Sequence, residues 1–138
     1  MDLSNDVFAS LMETAARARE NAYAPYSRFR VGAALLCTDG RVFTGCNVEN
    51  AGLSATNCAE RTAVFKAVSE GARSFAAIAI VGGREGEISP LCAPCGVCRQ
   101  VLAEFCPLNT PVSLGTPSDF RVSTLGDLLP LAFTPADL

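Results

Sequence analysis

Two short stretches, Cys58-Ala59-Glu60 and Pro94-Cys95-Gly96-Val97-Cys98, constrain this chain more than any other feature. A CxxC pair alone serves structural zinc, redox dithiols or nothing at all. Here the flanking residues narrow the choice. Pro94 suits the first turn of a helix, where its missing N–H is no loss, and Gln100 to Phe105 continue in good helix formers. Cys95 and Cys98 then share one helical face. Cys58 follows Thr56-Asn57, plausible caps, and precedes a helical run from Glu60 to Glu70 that stops at Gly71. Three thiols are therefore expected at two helix N-termini, where free N–H groups and the helix dipole favour thiolate, the form that binds metal. Three protein ligands leave the fourth tetrahedral position of zinc open, as a catalytic site requires. Glu60 lies two residues after a ligand, within reach of that position.

The chain has seven cysteines and no histidine. That absence removes Ser/His/Asp and Cys/His nucleophilic machinery and HExxH zinc sites. Any base must be a carboxylate, and any zinc site must lean on sulfur. Cys37, Cys46 and Cys106 read as core packing. Cys92, just before Pro94, is open to competition for zinc or to pairing with Cys95. An odd number of cysteines and an N-terminal stretch with acids at Asp2 and Asp6 and no basic-then-apolar pattern point to a reduced, cytoplasmic protein. No apolar run is long enough for a membrane span. A net charge of −3 and a pI near 4.9 disfavour nucleic acid and anionic membranes. A small neutral substrate fits better. Apolar residues make up 49% and charged ones only 18%, with a mean hydropathy of +0.27, so a monomer would leave apolar surface in water and an oligomer is expected.

At 138 residues the chain is expected to form a single domain, residues 1–138. Val7, Phe8, Leu11, Met12, Ala15 and Ala18 recur at helical spacing and predict an amphipathic helix from about Asp6 to Asn21, broken before Pro25. Arg30 to Cys37 reads as a strand with both faces covered, Thr38-Asp39-Gly40 as a hairpin turn, and Val42 to Thr44 as the returning strand. Gly45 to Ala55 is a polar loop. Ala76 to Val81 is a continuous apolar strand ended by Gly82-Gly83, followed by a polar approach from Arg84 to Ala93. Pro111 to Leu114 is a further strand, Phe120 to Val122 a fifth candidate, and Thr124 caps a short helix through Leu129. The order predicts a three-layer α/β/α sandwich with a five-stranded mixed sheet and its site at the helix N-termini.

The paired motifs resemble the signature of the zinc-dependent nucleoside deaminases. The similarity runs almost end to end with the small homotetrameric cytidine deaminases. It is carried by Tyr23 to Phe29, Val31 to Ala34, Gly45 to Asn50, Asn57 to Lys66, Pro94 to Leu102 and Leu128 to Phe133. The resemblance implies one zinc ion on Cys58, Cys95 and Cys98 and Glu60 as proton shuttle. It implies Arg61 hydrogen-bonded to ligand sulfur, offsetting thiolate charge. Asn47 and Glu49 would grip the ribose, Phe29 would pack on the base, and Ala59 would line the substrate site. Phe133 would reach a neighbouring subunit's site in a homotetramer. The activity implied is hydrolytic deamination of cytidine and deoxycytidine in pyrimidine salvage. One departure is Leu53, where the family commonly has an aromatic residue. The competing readings are a deaminase of a related base such as blasticidin S, a polynucleotide editor and a non-catalytic zinc-stabilised module. Asn47-Val48-Glu49 argues against the first and the acidic pI against the second.

Overall fold

The structure is a computed structural model and describes residues 3–138; Met1 and Asp2, the start of the acidic N-terminal stretch, lie outside the described residues. Helix α1 (Asn5–Ala18) runs into one 3-10 turn, Arg19–Asn21. Strands β1 (Phe29–Cys37) and β2 (Val42–Cys46) form the expected hairpin, with Gly40 at φ 94° supplying the left-handed turn position. Helix α2 (Ala59–Ser69), strand β3 (Phe75–Arg84) and helix α3 (Gly96–Phe105) follow, then β4 (Pro111–Thr116), β5 (Asp119–Thr124) and the short α4 (Leu125–Leu128). Thr124 caps α4 by accepting from the Asp127 amide at 3.1 Å, as its sequence position predicts.

The five strands form one mixed sheet in the order β2-β1-β3-β4-β5. Only the β3–β4 pair is parallel, because the chain crosses over through α3 between them. The sheet separates two apolar cores. On one face Phe8, Leu11, Met12 and Ala15 of α1 pack against Ala34, Leu36, Ala77, Ala79 and Val81. On the other, Ala59, Ala63, Val64 and Ala67 of α2 and Leu102 and Ala103 of α3 cover Ala33, Leu35, Ile78, Ile80, Val112 and Leu114. Alternate residues of β1 and β3 thus feed different cores. That is why neither strand shows polar alternation in the sequence.

Three expectations are corrected. Gly82-Gly83 does not end β3; the strand continues to Arg84. Both glycines lie where a loop presses on the sheet. A Cβ on Gly82 would meet Cys92 Sγ at 2.5 Å, and one on Gly83 would meet the Glu87 carbonyl at 2.5 Å. Pro94 precedes α3 instead of occupying its first turn, and Cys95 is the N-cap. Likewise the N-cap of α2 is Cys58 itself, not Thr56 or Asn57. Asn57 donates to Thr62 Oγ1 at 3.0 Å, and Thr62 donates to the Cys58 carbonyl at 3.2 Å, so the first turn is braced from the side. Among the described residues no helix is long and apolar enough to cross a membrane.

Candidate active site

Small residues bring α2 close to the sheet. Ala59, Ala63 and Ala67 are fully buried, and a Cβ on Gly45 of β2 would meet the Ala59 carbonyl at 2.3 Å. This packing sets Cys58, the N-cap of α2, beside Cys95 and Cys98 at the start of α3. The Cys58 and Cys95 sulfurs are 3.8 Å apart, Cys95 and Cys98 3.5 Å, and all three lie within 4.8 Å of one another. Tetrahedral zinc with Zn–S bonds of about 2.3 Å needs sulfurs separated by about 3.8 Å. The donor set and its spacing fit one zinc ion, and these three residues would hold it.

The electrostatics favour thiolate here. Cys58 is lowered to about 5 from its usual 9, first by its hydrogen bond with Cys98 and, against burial, by Arg61 and Cys95. Arg61 Nη2 donates to Cys58 Sγ at 3.2 Å, and the thiolate in turn raises the guanidinium pKa. The partner thiol of Cys98 is raised, chiefly by the same bond, as expected when neighbouring thiols compete to ionise. Arg61 thus stands against the Cys58 sulfur.

Glu60, in the first turn of α2, is only 4% exposed. Burial pushes its carboxyl up to about 7, opposed by its own amide and reinforced by the negative Cys58. A carboxyl titrating near neutrality is suited to take and return a proton. It opens on a cavity of about 340 Å³. Phe29, Asn47, Glu49, Cys58, Ala59 and Cys95 also line it, so the structure gathers most of the expected site residues around one hollow. Cys98 lies behind, fully buried.

Asn47 is also a strut. Its side-chain oxygen accepts from the Val31 amide at 2.8 Å and its amide nitrogen donates to the Phe29 carbonyl at 2.9 Å. One N–H and one lone pair remain free. Glu49 accepts from the amides of Tyr26 and Ser27 at 2.9 and 3.1 Å and from the Ser27 hydroxyl. Those bonds, the Ser27 hydroxyl first, hold its carboxyl below the ordinary range. Glu49 thereby pins the Tyr23–Phe29 turn over the cavity rim, where Arg28 adopts φ 59°.

Phe133 is not part of this hollow. It is 57% exposed, and Gln100 of α3 donates to its carbonyl at 2.7 Å. Arg99 ties the same segment to α3 by donating to the carbonyls of Pro94 and Leu128. Leu53 is 79% exposed and is likewise not among the lining residues. Sequence reasoning missed Ser27, Val31, Thr56 and Ala93, which line the cavity. Val31 was discoverable from strand period, two residues after Phe29 on the same face. Cys92 is unpaired and half-buried in the wall; burial raises its thiol to about 11, and it lies outside the three-sulfur cluster. Cys37 and Cys106 are buried as expected, while Cys46 is half-buried.

Comparison with known proteins agrees with this geometry. Residues 7–113 match the family described as the cytidine and deoxycytidylate deaminase zinc-binding region. The chain is 54% identical over 129 residues to a cytidine deaminase of Sporosarcina psychrophila, covering 93% of this chain and 92% of that protein. The crystal structure of cytidine deaminase from Burkholderia pseudomallei superposes with a TM-score of 0.83 at 51% identity, covering 95% of this chain and 100% of that one. That of cytidine deaminase from Mycobacterium tuberculosis gives 0.78 at 44% identity, over 96% and 98%. With its three-thiol cluster, its buried carboxyl and this extent of similarity, the chain belongs to the cytidine and deoxycytidylate deaminase zinc-binding family.

Proposed function

We propose that this protein is a zinc-dependent cytidine deaminase that hydrolyses cytidine and deoxycytidine to the uracil nucleoside and ammonia, in pyrimidine salvage. The observation that carries the reading is Glu60, 4% exposed, set beside three sulfurs spaced for zinc, two of which line the same cavity as its carboxyl. Zinc held by Cys58, Cys95 and Cys98 supplies a Lewis acid that brings the ionisation of water near neutrality. Glu60 takes the first proton that the attacking water loses and delivers it to the ring nitrogen beside carbon 4; it then takes the remaining proton from the new hydroxyl on carbon 4 and passes it to the departing amine as the carbonyl forms. Water adds one oxygen to carbon 4 as ammonia leaves, so no redox partner is needed. Arg61, donating to Cys58 Sγ, adds to the thiol interactions that favour the thiolate form of Cys58.

Phe29 packs on the base and Ala59 lines its edge. The remaining donor and acceptor of Asn47 and the free lone pair of Glu49 take the ribose hydroxyls. The lining contains Glu49 and Glu60 and, among the described residues, no arginine or lysine. A phosphate would be repelled there, which favours free nucleosides over nucleotides. Leu53 and Phe133, exposed and apolar, support a homotetramer in which Phe133 enters a neighbouring cavity. Residues 1–138 are read as one domain, and seven unpaired thiols suit the cytoplasm.

The test is an ultraviolet assay of zinc-quantified protein on cytidine, deoxycytidine, cytosine and a cytidine nucleotide. Turnover of the two nucleosides, with Glu60→Gln folded and zinc-loaded but slower by about 10²–10⁴-fold, is expected. Zinc-loaded wild-type protein that leaves cytosine absorbance unchanged would refute the assignment.

A further inference from the structure

We propose that Arg19 is a positioning residue for the nucleoside cavity: its guanidinium, buried behind the site, locks the two walls of the cavity together through four main-chain carbonyls. The proposal rests on the cavity being the nucleoside site. Arg19 opens the 3-10 turn after α1 and is only 9% exposed, yet among the described residues it pairs with no carboxylate. A buried cation without a counter-ion must be compensated by dipoles. Here Nε donates to the Arg30 carbonyl at 3.2 Å, and the two N–H groups of Nη2 are shared among the carbonyls of Gly83 and Arg84, both at 3.0 Å, and of Glu87 at 2.6 Å. Arg30 and Gly83 are register partners one pair before the end of the β1–β3 ladder, and Arg84 belongs to the last pair, with Phe29, so the side chain clasps the sheet near the end of the ladder.

One clasped residue adjoins the cavity lining and another opens the loop that leads to it. Arg30 lies between Phe29 and Val31, whose side chains line the cavity and whose main chain holds Asn47. Glu87 begins the return of the loop toward Cys92 and Ala93, which also line the cavity. Ser89 donates to the Gly82 carbonyl at 2.9 Å, so that loop lies flat on β3. Glycines make the approach possible. A Cβ on Gly32 would meet the Arg19 amide at 2.5 Å, and one on Gly83 would meet the Glu87 carbonyl. The guanidinium fork reaches both walls at once; a lysine ammonium keeps the charge but offers a single point of attachment.

Arg19 touches neither the sulfurs nor the reacting atoms, so its loss moves the walls and spares the chemistry. Arg19→Met and Arg19→Lys are compared with wild type for KM, kcat, zinc per chain and Tm. In Met, KM for cytidine rises about tenfold with kcat within about threefold and zinc unchanged; in Lys the rise is smaller. A fall in Tm with KM unchanged in either folded variant makes Arg19 a stability element only and overturns the proposal. Failure of both variants to give folded, zinc-loaded protein overturns it too. If Met alone fails to fold, the Lys KM decides. Wild-type protein without cytidine turnover removes the nucleoside reading and this proposal with it, whereas wild-type turnover with unchanged variant KM removes only this one.

Discussion

Gly45→Ala adds a single methyl group to β2, yet the structure leaves no room for it. The new Cβ would sit 2.3 Å from the Ala59 carbonyl, 2.5 Å from the Ala63 amide and 3.0 Å from Thr62 Cβ, all on the first turns of α2. Ordinary contact begins near 3.4 Å, so the two elements must separate by about 1 Å. Neither can yield harmlessly. If α2 lifts, Cys58 and Glu60 move with it, and zinc sites tolerate only about 0.2 Å in their metal–ligand distances. If the edge strand β2 gives way, Asn47 and Glu49 move, since they follow directly on its last residue, Cys46. Overpacking of this kind costs about 1–3 kcal/mol. For a domain of this size that corresponds to a Tm lower by about 4–12 °C. Misplacing reacting groups by about 1 Å costs about 100-fold in rate. The assay combines thermal unfolding, zinc content and kcat/KM on cytidine. A variant with Tm within about 1 °C of wild type and full kcat/KM would refute the close-packing argument for how α2 is placed.

Two further outcomes follow from the same geometry. Arg61→Ala removes the donor to Cys58 Sγ, so zinc affinity measured by chelator competition falls about 10–100-fold and activity falls with it; unchanged affinity removes Arg61 from the site's electrostatics. Burial pushes the Cys106 thiol up to about 12 from 9. Between these values the unfolded thiol is ionised while the folded one keeps its proton. Its contribution to stability is therefore complete below pH 9 and is lost as pH rises toward 12. Denaturant unfolding across that window should show a shallower loss for Cys106→Ala than for wild type, and parallel curves would show that the thiol ionises freely in the fold.

Much of the fold was legible because periodicity reports burial. Helix α1 shows one apolar stripe since it covers only one face of the sheet, and the hairpin announced itself in Thr38-Asp39-Gly40. Its failures share a cause. Gly82-Gly83 reads locally as a stop, yet the strand continues because the glycines admit Cys92 and Glu87 from a distant loop. Pro94 is compatible with a first helical turn, but Cys95 takes the cap. Such choices depend on contacts that no local window contains.

The site divides in the same way. Residue chemistry alone singled out Cys58, Cys95, Cys98 and Glu60, since a chain without histidine has few ways to hold zinc and one acid beside a ligand. Ligand types and catalytic acids are properties of side chains and survive in a string of letters. Distances are not. Only the packing of α2 and α3 on one sheet face sets the sulfurs 3.8 and 3.5 Å apart and buries Glu60 enough to raise it to about 7. Only tertiary structure made Asn47 and Glu49 struts of the cavity wall, left Phe133 outside its own cavity, and gathered four carbonyls around Arg19. The sequence determined which atoms were available. Close packing decided which of them meet, because burial and hydrogen bonding depend on neighbours that the chain brings together only by folding.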